Sequence, residues 1–344
     1  MIPVLEAVPN FSDGRDPAVL ASLVAAVQSA GAEVLDASAD PDHNRSVITL
    51  VGDASQVEQA LVSAARVAVD RIDLRTHEGC HPRIGALDVC PIVPLQDASM
   101  EDAIVVARKV AAGIEALGVP VYLYGAASPE NRRLSELRRG GVEALRSHWP
   151  EGRRPDLAAG RAEAHPSAGV SCVGARPLLL AWNLWVSGVT LAQLREIAAQ
   201  LREQGGGIPG LRTLALELPR QEGLQLSMNL EEVDTRDPFA IFLQIEGVLE
   251  EAGGRIERTE VIGMIPDALV FPAAAHRLRL SDFDPARVLG TAVRRHRLRR
   301  ADEDAAALAR WVLGSKTDVP EKVRDVARRW AGHASSPPFP GAEA

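Results

Sequence analysis

The sequence predicts an α+β fold: two ferredoxin-like βαββαβ-type α/β sandwich subdomains side by side, with a ligand cleft between them. Three observations lead there. The chain has 344 residues, too many for one ordinary small domain. Its apolar residues switch between strand-like and helix-like periods in the order β-α-β-β-α-β, and that order occurs twice. Between the two runs lies Pro150 to Gly169, a stretch rich in Pro, Gly, Ala and charge that reads as a loop.

The first run opens with a strand over Ile2 to Val8 and the turn-rich Pro9 to Gly14. Asp16 caps a helix that has Pro17 in its first position and Gly31 at its end. Strands follow over Glu33 to Ala37 and Arg45 to Val51. Within Gln56 to Ile72, Val57, Ala60, Leu61, Ala64 and Val67 recur at helical spacing, and Leu87 to Val93 is apolar enough for a buried strand. A helix over Met100 to Leu117, a strand over Val119 to Tyr124 and a helix starting near Pro129 extend this unit.

The second run begins with a strand over Leu178 to Val186 and a helix over Leu191 to Gln204. A hairpin of Leu211 to Leu218 and Leu224 to Leu230, a helix from Pro238 to Ala252 and a strand over Arg255 to Ile262 complete it. Beyond Arg300, two amphipathic helices fill Ala301 to Trp330, and Ser335 to Gly341 reads as a frayed tail. The expected domains are 1–169, 170–300 and a helical extension over 301–344.

Composition narrows the function. Hydrophobic residues at 46% supply real cores, and charged residues at 24% lie in the globular range. A net charge of −8 argues against nonspecific nucleic-acid binding, with the short basic run Arg294 to Arg300 read as a solvated segment. The N-terminus has no basic start and Glu6 interrupts its apolar run, unlike a signal peptide, and no stretch approaches the roughly 20 apolar residues of a membrane span. Cys80, Cys90 and Cys172 are too few for a disulfide framework, so a cytoplasmic protein is expected. Lys109, Lys316 and Lys322 are the only lysines, so any cation in the first hundred residues is Arg or His. Arginine suits two-pronged recognition of carboxylates.

The segment Thr76 to Gly85 holds the densest chemistry. His77 to His81 matches H-E-x-x-H literally, but a zinc site of that kind needs both histidines one turn apart on a helix. Gly79 weakens a helix there, and Pro82 disfavours helical backbone at His81. The segment reads as a loop and no metal is expected. Cys80 beside a histidine suggests a thiolate nucleophile, but no other nucleophile signature surrounds it, and a small packed residue is the favoured reading. A histidine general base is a third option, since imidazole exchanges protons near neutrality. A histidine that only orders its loop is the plain alternative.

Several short motifs then fall in order over roughly residues 2 to 290. They are Val8 to Gly14, Asn44-Arg45 before a strand, His81 to Pro91, Pro120 to Gly125, Gly174 to Arg176, Arg202 to Gly207 and Ser227 to Leu230. In this set the chain resembles glutamate formiminotransferase. The resemblance implies a homodimer and transfer of a formimino group between 5-formiminotetrahydrofolate and L-glutamate, with tetrahydrofolate as co-substrate. It implies His81 as the catalytic histidine. It places a folate-binding loop on about Ala158 to Gly169, with Pro166, Ser167 and Gly169 among its contacts. A cyclodeaminase domain, which follows in vertebrate members, is not expected after Arg300.

The residues suit that reaction. Glutamate attacks through its amine, which must first lose a proton, and a neutral His81 can remove it. Both substrates carry carboxylates, which Arg45, Arg83 and Arg176 can bind through paired hydrogen bonds, although surface ion pairs are the plain alternative for each. Arg83 ranks first, two residues from His81. Asn10 can donate to a carbonyl or pterin edge, or simply shape its turn. Ser38 and Asn44 complete the expected substrate-binding set. In the resembled family an acidic residue stands where Ser38 stands here, and His-Lys-Gly-Glu-His stands in place of His77 to His81. Asp36, Asp40 or Glu78 can substitute for the missing carboxylate if the fold brings one close. These departures leave two other readings: a transferase using a formyl donor such as 5-formyltetrahydrofolate, and a folate-binding paralogue without turnover.

Overall fold

The computed structural model describes residues 3–79, 83–95, 97–218 and 223–280, together with 284, 289, 291, 305–314, 319–321, 323, 324, 327 and 328. Residues 80–82 with His81, the hairpin turn 219–222, the basic run 294–300 and the tail 335–341 lie outside the described residues.

Both βαββαβ runs are present. In the first, β1 (Leu5–Ala7) and β2 (Asn10–Phe11) form one strand interrupted at Val8-Pro9. Then come α1 (Pro17–Ser29), β3 (Glu33–Asp40), β4 (Arg45–Gly52), α2 (Ala54–Arg71) and β5 (Leu87–Pro94). β1 and β2 pair antiparallel with both β4 and β5, and β3 pairs with β4. The spatial order is therefore second, third, first, fourth strand, the ferredoxin-like arrangement. After α3 (Met100–Glu115), β6 (Val121–Gly125) and β7 (Ser171–Ala175) add two parallel strands, with β7 seated between β5 and β6. The sheet has seven strands.

Two features here depart from the sequence expectation. The strand β7 was not anticipated, and it carries the first sheet past residue 169. No long helix starts at Pro129: a turn occupies 126–131 and α4 is only Leu134–Leu137. Asn131 adopts a left-handed φ of 49°, and Arg132 turns back so that its carbonyl accepts from Gly125 N–H and its guanidinium donates to Asp156. Those bonds hold the backbone out of a helix.

The second run is β8 (Leu179–Ser187), α5 (Leu191–Leu201), β9 (Leu211–Leu218), β10 (Gly223–Glu231), α6 (Pro238–Glu251) and β11 (Arg255–Ile262). Its four-stranded sheet has the order β11-β8-β10-β9, the same permutation as the first. An additional helix, α7 (Asp267–Leu278), follows. Helix starts obey their local chemistry. Asp16 accepts from Ala18 N–H ahead of Pro17, and Asp53, Ser99 and Thr190 each form a capping box with the residue three positions on.

Each sheet buries one face under its helices. Leu5, Phe11, Ile48, Leu50 and Ile92 pack with Leu23, Leu61, Val106 and Ile114 in the first core. Leu180, Trp182, Leu184 and Leu226 pack with Leu194, Ile197, Ile245 and Leu249 in the second. Alternation along a strand sends the intervening residues to the opposite, helix-free face. Directly opposed residues share a face, so the registers map it across the first sheet. Ser38, Val47 and Asn10 form one row, which continues through Val89 into Cys172 and Tyr122. There the face is covered: Cys172 and Tyr122 are fully buried, and the Tyr122 hydroxyl donates to the Arg153 carbonyl of the segment after α4. Glu6 lies between Val51 and Val93 in another row. In the second sheet the same face carries Glu260, Asn183, Ser227 and Leu214 in one row and Arg258, Trp185, Gln225 and Leu216 in the next.

Contacts divide the chain into two compact units, residues 2–270 with both sheets, and residues 271 onward. In the latter, residues 305–314 are helical, and Ala309, Val312 and Ala327 form a small apolar cluster with Leu313 and Val319.

Candidate active site

Three loops meet where β4 and β5 begin, and Asn44 joins them. It lies between β3 and β4 with a left-handed φ of 48°, a conformation asparagine tolerates better than most side chains. Its Oδ1 accepts from Gly14 N–H at 3.0 Å and its Nδ2 donates to the Glu78 carbonyl at 2.9 Å. Its own carbonyl accepts from His77 Nε2 at 2.9 Å. A carbonyl can only accept, so this contact places the neutral ring's proton on Nε2. Burial pushes the His77 pKa below the usual histidine value, outweighing the opposing effect of the Asn44 bond. The fit is close: a Cβ on Gly79 would stand 2.5 Å from the His43 carbonyl oxygen, so no other residue suits that position without displacement.

Asp88 holds the other stem of the same loop. It is 3% exposed, and its Oδ1 accepts from the N–H groups of Ile84 at 2.8 Å and Gly85 at 3.2 Å. Its second oxygen accepts from Arg138, just beyond α4. Ser12 adds a bond from its hydroxyl to the Gly85 carbonyl at 2.7 Å. Arg83 donates to the His77 carbonyl at 2.8 Å, and its own carbonyl accepts from Val142 N–H at 3.1 Å. The described residues on either side of 80–82 are thus tied to one another and to the body of the sheet.

A third clamp comes from the end of the expected folate loop. Residues 165–169 form a tight hairpin in which His165 and Gly169 exchange backbone bonds at 3.0 and 2.9 Å. This hairpin receives Leu74 N–H on the Ser167 carbonyl at 2.8 Å and Ala86 N–H on the Ala168 carbonyl at 2.9 Å. Gly169 has φ of 68°, and a Cβ there would stand 2.1 Å from the Ile84 carbonyl oxygen.

Phe11, Ser12, His43, Asn44, Arg45, Arg83 and Asp88 line a small cavity of about 10 Å³ between these loops, room for one water. It is cationic on balance: Arg45 and Arg83 face it, and Arg138 pairs with its carboxylate Asp88. Burial lowers the Arg45 pKa to about 10, with repulsion from Arg138 adding to the shift, so Arg45 stays charged near neutrality. Burial also lowers the pKa of His43.

The structure brings Asn44, Arg45 and Arg83 together around one cavity. Ser38 and Asn10 lie in one row of the adjoining helix-free face, with Asn10 donating to the Val8 carbonyl at 2.7 Å. Asp36 and Asp40 flank Ser38 on that face, opposite Thr49 and Arg45, and Asp40 Oδ1 accepts from the N–H groups of Asp42 and His43. Ser167 and Gly169 reach the site through backbone contacts, while Pro166 is exposed. Arg176 stands apart. Its N–H bonds the Ile92 carbonyl, four residues along β5 from Asp88 and roughly 13 Å away at strand rise. Ser12, His43, Asp88 and Arg138 are the site residues that sequence reasoning passed over. One signal was available: Asp88 interrupts the otherwise apolar run Leu87 to Val93, and a lone acid in a buried strand calls for a partner.

Comparison with known proteins identifies the family of the chain. The profile of the formiminotransferase domain, N-terminal subdomain, matches residues 4–176, the span of the first sheet from β1 to the end of β7. The glutamate formimidoyltransferase of Streptococcus pyogenes serotype M1 is 35% identical over 293 residues, covering 83% of this chain and 96% of that protein. The glutamate formimidoyltransferase of Thermoplasma acidophilum is 33% identical over 297 residues with the same coverage of each. The formimidoyltransferase-cyclodeaminase of Rattus norvegicus is 35% identical over 290 residues, covering 80% of this chain and 52% of its own length. With relatives matched over nearly their full length and the family profile matched across the sheet that carries the site, this chain belongs to the formiminotransferase family.

Proposed function

We propose that this protein transfers a formimino group between 5-formiminotetrahydrofolate and L-glutamate, with His81 as general base and acid. Family membership supplies the reaction class. The observation that carries it to this chain is the convergence of Asn44, Arg45 and Arg83 on one cationic pocket at the stems of the loop bearing His81. Glutamate is mostly an ammonium ion near neutrality. Neutral His81 removes the amine proton, the freed nitrogen attacks the formimino carbon, and a tetrahedral intermediate forms. The imidazolium then returns a proton to the departing folate nitrogen as the carbon–nitrogen bond breaks. Arg45 and Arg83 supply positive charge that attracts a substrate carboxylate to the loop bearing His81.

Tetrahydrofolate enters as co-substrate. In this reading the co-substrate lies near the row that carries Ser38 and Asn10, beside the loop stems that the 165–169 hairpin clamps. This reading places a cleft between the two sheets and moves the expected boundary at 169/170 past β7, since Ser171–Ala175 belongs to the first sheet, with the second unit following it and the extension over 301–344. It takes the working enzyme as a cytoplasmic homodimer. Ser38, in place of the family's acid, favours a second reading with a formyl donor. Asp36 and Asp40 on the same face favour the first, since they keep carboxylates beside the missing one.

Purified protein is expected to consume formiminoglutamate only when tetrahydrofolate is supplied, and His81→Ala is expected to lower turnover by about a hundredfold or more. Folate binding without turnover in the unaltered protein would overturn the enzyme reading. Full activity in the variant would overturn the role of His81 alone. Faster transfer from 5-formyltetrahydrofolate than from the formimino donor would establish the second reading.

A further inference from the structure

Glu6 is 6% exposed, sits on the helix-free face of the first sheet between Val51 and Val93, and has no hydrogen bond or ion pair among the described residues. Its neighbours Leu5 and Ala7 point the other way, into the helix-covered core. A carboxylate in such a place normally spends both oxygens on donors, because desolvation without them is costly. Burial raises the Glu6 pKa, and the charge of Arg176 opposes that rise without coming close enough to form an ion pair. The charge is partly offset, while the acceptor capacity is unspent.

We infer that Glu6 is a ligand-binding carboxylate that takes the paired N–H donors of a 2-aminopyrimidinone ring edge, the edge a pterin presents. The assignment rests on the folate reading above and deepens it by naming the group that holds the ring. Three considerations select this occupant. Two coplanar acceptors match two parallel donors, a geometry that fixes orientation as well as affinity. The glutamate amine is a poorer candidate, because a carboxylate beside it would hold it as ammonium and oppose attack. Position fits as well. Along β5, Val93 beside Glu6 is four residues from Val89 beside Asn10, roughly 13 Å, the length scale of a fused bicyclic ring with a side chain at either end. Glu6 thus holds the far edge of the ring while Asn44, Arg45 and Arg83 stand at the reacting end.

The experiment measures binding of three probes to the full chain by titration calorimetry: tetrahydrofolate, the free pterin ring, and p-aminobenzoylglutamate, which lacks that ring. Glu6→Gln keeps the shape but replaces one acceptor with a donor. It is expected to weaken tetrahydrofolate and pterin by about tenfold or more while leaving p-aminobenzoylglutamate and the KM for formiminoglutamate unchanged. Glu6→Asp, which keeps the carboxylate, is expected to retain part of the pterin affinity. Unchanged pterin binding in Glu6→Gln overturns the assignment, as does a loss confined to formiminoglutamate. Melting of the variants at the wild-type temperature separates lost recognition from lost folding. If the unaltered protein binds none of the three probes, the folate reading falls and this assignment falls with it.

Discussion

Arg138 and Asp88 form an ion pair almost out of contact with water, their side chains 15% and 4% exposed. Asp88 lines the small cavity and spends its other oxygen on two backbone N–H groups. Removing the acid alone strands a buried guanidinium beside Arg45. Asp88→Ala is expected to destabilise the protein by about 3–5 kcal/mol in urea unfolding. Asp88→Asn keeps an acceptor for Ile84 and Gly85 and is expected to cost less. A loss below about 1 kcal/mol for Asp88→Ala would show that the pair contributes nothing net.

Asn44 combines two roles that substitution can separate. Asn44→Gly keeps easy access to left-handed backbone but loses the bonds to Gly14 and Glu78. Asn44→Ala loses both. The expected stability losses are about 2 kcal/mol for the glycine variant and about 3 kcal/mol for the alanine variant. Equal losses in the two would mean that the φ of 48° carries no strain for alanine. Since the Asn44 amide is committed to two protein partners, both variants are expected to lower kcat more than they raise KM in steady-state assays.

His77 links stability to pH with a defined sign. Its pKa in the folded protein lies below the ordinary 6.5, so the unfolded chain binds its proton more readily. Stability from the neutral ring is present above the unfolded value and falls as pH drops below it. His43 shifts in the same direction and adds to the slope. Unfolding free energy is expected to fall between about pH 7.5 and pH 5.5, with a shallower fall in His77→Gln. An unchanged slope in that variant would remove His77 from the account.

Much of the fold was legible because it is local. Pro17 behind Asp16, the alternation of Arg45 to Val51 and the helical spacing from Val57 to Val67 each fix an element without reference to distant residues. Both βαββαβ units follow from such signals in order. β7 escaped because Ser171 to Ala175 is short, contains Gly174 and owes its strand form to β5 and β6, which flank it from far away in sequence. The helix expected at Pro129 does not form because Arg132 is drawn to Asp156 across the sheet edge, a contact invisible in the run itself. The site divides the same way. Asn44, Arg45 and Arg83 stand in short recognisable motifs, whereas Asp88 and Arg138 become partners only when the segment after β6 folds back. Arg176 sits in a motif of equal clarity, yet the register of β5 carries it away from the others.

The late arrival of β7 has a consequence for how the molecule is made. β5 and β6 have no direct pairing with each other; both meet β7 instead. A chain emerging from the ribosome can assemble its first four antiparallel strands early, but the gap between β5 and β6 stays open until residue 175 is available. The hairpin 165–169, which clamps both stems of the loop bearing His81, immediately precedes that strand. Closure of the gap and locking of the loop are therefore one event in biogenesis, and a nascent chain cannot present a finished pocket before its first sheet is sealed.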